Sequence, residues 1–167
     1  DLDLISACIK NDKIAKKRFY EELYTQLAVI ALRYSKNKEQ SNEMVQKGFA
    51  FLFSNLHKFK PNGKLTLQQW VQEEFIVFCV EFIRNIRSEY YVASTVRVTD
   101  TPTKTYDLFI DSTLTDFKNV DFEVLIKSLQ QLVPSQRLIF NLNVVEGYDL
   151  IKSAEILEAS EQTVKAN

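Results

Sequence analysis

Glu161, Gln162, Thr163 and Lys165 stand together at the head of a helix-forming stretch, just behind a turn. Side chains of this kind recognise a partner by donating and accepting hydrogen bonds. The residues before them set up a repeated helix and turn. Pro134 suits the first turn of a helix, where its missing N–H would be unpaired anyway. Leu138, Ile139, Leu142 and Val145 then recur at helical spacing, and Gly147 supplies the stop. Asp149 can cap a second helix in which Leu150, Ala154 and Leu157 share a face. Glu158-Ala159-Ser160 forms a short turn, and Ser160 can cap the helix that opens at Glu161. A short helix, a tight turn and a second helix with a polar N-terminus is the layout of a DNA-reading helix-turn-helix. Two amphipathic helices that merely pack together share the same outline, so the pattern alone leaves both readings open.

Other residues with reactive side chains lack partners at useful spacing. His57 is the one histidine, and no Ser, Cys or carboxylate partner for it is evident in the sequence, which makes it a poor general base. Cys8 and Cys79 are far apart and match no metal spacing, so they read as reduced core residues. Asp100, Asp107, Asp111 and Asp116 do not have the spacing of a calcium loop. With no phosphate-binding loop, metal cluster or nucleophile–base pair in the sequence, neither an enzyme nor a cofactor or metal is expected.

The elements that must carry these residues are helical. The chain has 167 residues, 46% of them hydrophobic, with only 3 Gly and 3 Pro, which disfavours turn-rich β architectures. A short helix is expected over Leu2 to Lys10. A longer one follows over Ile14 to Tyr34, with Ala15, Phe19, Leu23, Leu27, Ile30 and Tyr34 along one stripe. The next runs from Lys38 to Leu56 with Val45, Phe49, Leu52, Phe53 and Leu56 inward, and the loop HKFKPNGK follows. Thr66 and Gln69 form a capping-box pattern that opens a helix reaching about Tyr91. The centre of that helix, Phe75 to Val80, is apolar all round and so should be covered on both sides. Residues 92–120 are rich in Thr and Asp and lack a helical period, which reads as a long polar linker. Helical pattern resumes over Asp121 to Leu132 with Phe122, Leu125, Ile126 and Leu129.

The expected fold is therefore all-α. Two small helical domains, residues 1–91 and 121–167, are joined by the linker 92–120, and the second contains the helix-turn-helix. The first 91 residues carry 14 Lys and Arg against 11 Asp and Glu, and the remainder carry 7 against 11. That negative balance is the wrong sign for a DNA-reading half. The Leu2 to Ile9 stretch is too short and interrupted for a signal peptide, and no apolar run reaches the roughly 20 residues that span a bilayer. A cytoplasmic protein without membrane insertion is expected.

Three stretches in this order resemble the extracytoplasmic-function group of bacterial RNA polymerase sigma factors. The first is LRYSKNKEQSNEMVQKGFAFLFSNLHKF, from Leu32 to Phe59. The second is the Trp70 helix with its Glu81-Phe82-Ile83-Arg84 end. The third is LVPSQRLIFNLNVVEGYDL with SEQTVKAN. The resemblance covers nearly the whole chain. It implies an alternative sigma factor that binds core RNA polymerase, recognises promoter DNA and directs initiation of transcription. Glu43, Gln46 and Lys47 would then face the polymerase. Lys58, Lys60, Asn62 and Lys64 beside Phe59, with Arg84 and Arg87, would hold the minus-ten element. There, an extruded base needs a pocket and the backbone needs cations. Glu161, Gln162, Thr163 and Lys165 would read the minus-thirty-five element, since Gln can read adenine and Lys guanine or phosphate. Arg137 would support the fold or touch a phosphate. The linker aspartates would mimic nucleic-acid charge, and an anti-sigma factor is a further partner of the kind such proteins have.

The chain also departs from that family. After Trp70, where basic residues and an Asn are usual, stand Gln72, Glu73, Glu74 and Val77. Carboxylates facing phosphates oppose binding. Lys152-Ser153-Ala154 replaces Glu-Ile-Ala, placing Ser153 where an apolar contact is expected, and Glu158 replaces the small turn residue. The alternative is therefore a sigma-like binding module that has lost promoter opening and acts through protein partners.

Overall fold

The computed structural model describes residues 2–61, 64–86 and 121–166, and these form helices and turns with no strand among them. The linker 92–120, Asn62 and Arg87 lie outside the described residues.

Helix α1 (Leu2–Ile9) buries Ile5 and Cys8 and turns at Asn11, whose φ of 67° suits an asparagine. Helix α2 (Lys13–Tyr34) starts where the Asp12 carboxylate accepts from the backbone N–H groups of Ile14 and Ala15, at 2.8 and 2.9 Å. All six residues of its expected stripe are buried. Helix α3 (Lys38–Asn55) is capped by Asn37, which accepts from Gln40 N at 2.8 Å. It buries Val45, Phe49 and Leu52, while Phe53 is half-buried and packs on Phe19 with ring centroids 5.4 Å apart. A 3₁₀ turn at Leu56–Lys58 leads to the next loop.

Helix α4 (Leu67–Asn85) opens with both hydrogen bonds of the capping box. Gln69 N donates to the Thr66 hydroxyl at 3.2 Å, and Thr66 N donates to the Gln69 side chain at 2.9 Å. The helix ends at Asn85, and residues 87–91 of the expected stretch to Tyr91 lie outside the described residues. Phe75, Ile76, Cys79 and Val80 are buried, and Val77 and Phe78 half-buried, so the apolar centre is largely covered on both sides. Gly48 of α3 faces Phe75 so closely that a Cβ there would lie 2.2 Å from a ring carbon. The Phe75 ring fits against α3 there because the position has no side chain.

Helix α5 (Phe122–Gln131), capped by Asp121, buries Ile126 but leaves Phe122 and Leu125 about half exposed. Helix α6 (Pro134–Phe140) has Pro134 in its first turn and continues into a π-helical turn, Asn141–Val145, closed by Glu146 N donating to Asn141 O at 2.9 Å. Leu138 and Leu142 are buried, as helical spacing predicts, whereas Val145 is 41% exposed. The wider turn holds an extra residue and shifts the helical phase, which swings Val145 out of the stripe. Gly147 follows at φ +72°. Helix α7 (Leu150–Leu157) is capped by Asp149, and α8 (Glu161–Ala166) by Ser160, which accepts from Thr163 N at 3.1 Å. Ser153 is fully buried, and its hydroxyl bonds the side chain of Asn143 in the π turn, which satisfies a polar group where an apolar one was expected.

Residues 121–166 do not stand apart from 2–86. Leu138, Leu142, Ala154, Leu157 and Val164 belong to the same buried cluster as the stripes of α2 and α4. Polar groups stitch the seam. The Arg137 side chain, only 2% exposed, donates to the carbonyls of Tyr34, Gln130 and Leu132 at 2.9, 3.2 and 3.0 Å. Asn141 donates to Arg33 O at 3.0 Å, so both side chains meet carbonyls that the end of α2 leaves unpaired. Arg33 pairs with Glu146 at 2.7 Å. From Glu146 a line of amides runs through Gln72 and Gln26 to Gln68, at 3.4, 2.9 and 2.8 Å.

Candidate nucleic-acid interface

The turn after α3 and the start of α4 bring cations and rings together. Phe59 and Trp70, each half-buried, meet with ring centroids 5.6 Å apart and planes inclined by 57°. Each is anchored on the core side and open on the other. With Lys58, Lys60, Lys64 and Leu65 they bound a hollow of about 200 Å³. The lysines are exposed and their ammonium groups lie outside the hydrophobic core. The capping box fixes the register of α4 and hence the position of Trp70, four residues after Thr66. Chemically, this is an aromatic seat with a cationic rim. Such a seat stacks a planar base and neutralises a neighbouring phosphate. His57 is exposed on the same turn. Leu65 is the lining residue that the sequence pattern did not single out.

Arg84, at the other end of α4, does not face open solvent. Its guanidinium donates to the Glu158 carboxylate at 2.8 Å. Glu158 has φ 49°, the left-handed conformation that costs a residue with a Cβ more than glycine. The Arg84 hydrogen bond, followed by its charge, holds the Glu158 carboxyl below its ordinary pKa. The departure from a small turn residue is thus the feature that engages Arg84. Glu73, expected to face phosphates, lies close enough to Tyr148 to raise its phenol pKa, after burial as the larger cause.

On α3, Glu43, Gln46 and Lys47 are exposed. Lys47 pairs with Glu43 at 2.7 Å and its ammonium lies 5.5 Å from the centre of the Phe82 ring, an ordinary cation–π distance. Glu43 and Lys47 share a surface hollow of about 460 Å³ with Phe78, Glu81, Phe82 and Asn85, so the α3 and α4 surfaces form one face there; Gln46 does not line it. On α8, Glu161, Gln162, Thr163 and Lys165 are exposed while Val164 is buried, so the short helix presents a polar side. The Thr163 hydroxyl is hydrogen-bonded to Ser160 at 2.8 Å. Arg137, buried against three carbonyls, supports the fold and is not a phosphate ligand.

Among the described residues no group of three or more His, Cys, Asp or Glu side chains could hold a metal ion. Also among them, no helix is long and apolar enough to cross a membrane. No protein-family model matches the chain, and no curated protein matches it in sequence.

Proposed function

We propose that this chain is an alternative RNA polymerase sigma factor, which binds core polymerase and directs it to promoter DNA in the cytoplasm. In this reading residues 1–91 dock on polymerase and hold the minus-ten element, 92–120 link, and 121–167 carry the helix-turn-helix for the minus-thirty-five element. The observation that carries the reading is the Phe59–Trp70 pair with Lys58, Lys60 and Lys64 around one hollow. Strand opening requires an extruded base to be received and its backbone neutralised, and this group has the chemistry for both. The polar side of α8 supports the second contact, with Gln162 suited to adenine and Lys165 to guanine or phosphate. Glu43, Gln46 and Lys47 supply a polar surface for polymerase. By sequence alone, Arg87 adds a further cation and Asn62 a neutral polar group.

The second reading is a sigma-like binding module that works through protein partners, an anti-sigma factor among them. Two observations favour it. Arg84 is engaged by Glu158, and α5 with the π turn leaves Phe122, Leu125 and Val144 exposed over an apolar hollow of about 480 Å³.

Run-off transcription with core polymerase separates the two. The sigma reading expects a defined transcript that is lost when Lys58, Lys60 and Lys64 are changed together to Gln. Binding to core with no transcript, even on premelted templates, would refute it in favour of the binding module.

A further inference from the structure

We propose that Glu158 is a self-masking clasp: the α7–α8 turn holds the Arg84 guanidinium so that α4 withholds one cation from nucleic acid until the turn lets go. The inference rests on the reading of α4 as a nucleic-acid-binding helix.

Three features carry it. First, Glu158 occupies a left-handed position where glycine is cheapest, and its side chain reaches across the seam to Arg84, 74 residues away in sequence. A glutamate there costs backbone strain that a glycine would not, and among the described residues its carboxylate bonds Arg84. Second, the pair is shallow. The Arg84 side chain is 27% exposed and that of Glu158 71%. An ion pair this open to water is weak and screened by salt. A phosphate group, which also accepts from a guanidinium, can therefore displace the carboxylate. Third, the α7–α8 turn that holds the clasp leads directly into α8 and its exposed polar side. Engagement of α8 by a duplex and release of Arg84 are thus mechanically adjacent events. The device couples the two candidate contacts: a duplex held by α8 pulls on the turn that guards α4.

The test is a double-mutant cycle on binding of the whole chain to a fluorescent mixed-sequence duplex, measured by anisotropy across a salt series. Glu158→Gln removes the carboxylate charge and frees Arg84. Glu155→Gln removes an equal charge from an exposed position on α7, just before the turn, where Glu155 pairs with Lys152 at 3.5 Å, and serves as the control. The expected result is that Glu158→Gln tightens binding several-fold more than Glu155→Gln. It should also steepen the dependence of log affinity on log salt by about 0.9, the value of one added phosphate contact. In an Arg84→Gln background the extra gain should vanish. If the duplex binds but the two glutamine variants behave alike, the clasp is refuted and the nucleic-acid reading stands. If the gain persists without Arg84, the clasp is likewise refuted. If neither the parent chain nor any variant binds the duplex, the nucleic-acid reading falls and takes the clasp with it.

Discussion

Two arginine–glutamate pairs cross the same seam at nearly the same distance, 2.7 Å for Arg33–Glu146 and 2.8 Å for Arg84–Glu158, yet they are different devices. The first has side chains 15% and 6% exposed and is tied into Gln72 and the end of α2. The second is held at one edge, with its carboxylate in solvent. Distance alone says nothing of this difference. Burial makes the first pair a lock, because removing one partner strands a charge away from water, whereas water and salt stand ready to replace either partner of the second. A seam built with one of each can stay aligned at its deep end while its shallow end exchanges partners.

The largest test is aimed at the lock. Glu146→Ala leaves Arg33 buried without its carboxylate and should cost about 3–5 kcal/mol in urea unfolding, the usual penalty for breaking a buried pair. A loss no greater than that from Glu158→Ala would erase the contrast. Next in size, Gly48→Ala drives a methyl into Phe75, where α3 packs on α4, and should cost about 1–3 kcal/mol as overpacking. If probes on α3 and on α7 then report one shared unfolding midpoint, the seam joins both blocks into one cooperative unit; separate midpoints would show the lock to be weaker than its burial implies. Third, among the described residues the fully buried Tyr34 hydroxyl has no hydrogen-bond partner, although it lies near Glu146. Tyr34→Phe should raise stability by about 1 kcal/mol, since an unsatisfied buried hydroxyl is a cost. A loss instead would reveal a partner for the hydroxyl and enlarge the polar network around the lock. The smallest effect concerns acid. The Glu158 carboxyl is held below its ordinary pKa by Arg84, so the folded state binds its proton less readily than the unfolded chain does. The stabilisation from the shallow pair is therefore present above the ordinary glutamate range and fades as pH falls through the lowered value. An Arg84→Gln variant should lack that part of the acid dependence, measured as urea midpoint against pH; an unchanged profile would remove Glu158 from the comparison.

What could be read in advance follows the range of the interactions. The caps at Thr66, Asp149 and Ser160 are local, each made with the residue three positions on, and all three are found. The stripe of α2 is likewise a matter of period, and it is buried throughout. Gly48 gives no hint of Phe75, because nothing local in a helix demands a glycine there; the demand comes from another helix. Arg33 and Glu146 are 113 residues apart, and neither is marked as a partner by its neighbours. The candidate site divides in the same way. Lys58, Lys60 and Lys64 were visible as a loop composition. Their grouping around Phe59 and Trp70 depends on how α4 returns against α3, and the fate of Arg84 depends on the seam.

The π turn at Asn141–Val145 can also be understood as a change in chain length that the helix absorbs without breaking. One residue more than an α-helix needs is stored in that turn, and everything after it inherits the offset. Deleting Val144 would close the turn to ordinary α-helix, with Glu146 N, then four residues on, still donating to Asn141 O, and the following chain would keep its place. Glu146 would stay opposite Arg33 and Glu158 opposite Arg84, whereas a deletion within the regular part of α6 would turn both away by roughly 100°. Single-residue insertions and deletions are usually counted as damage. Here one such residue is taken up inside a single turn, and both ion pairs keep their register.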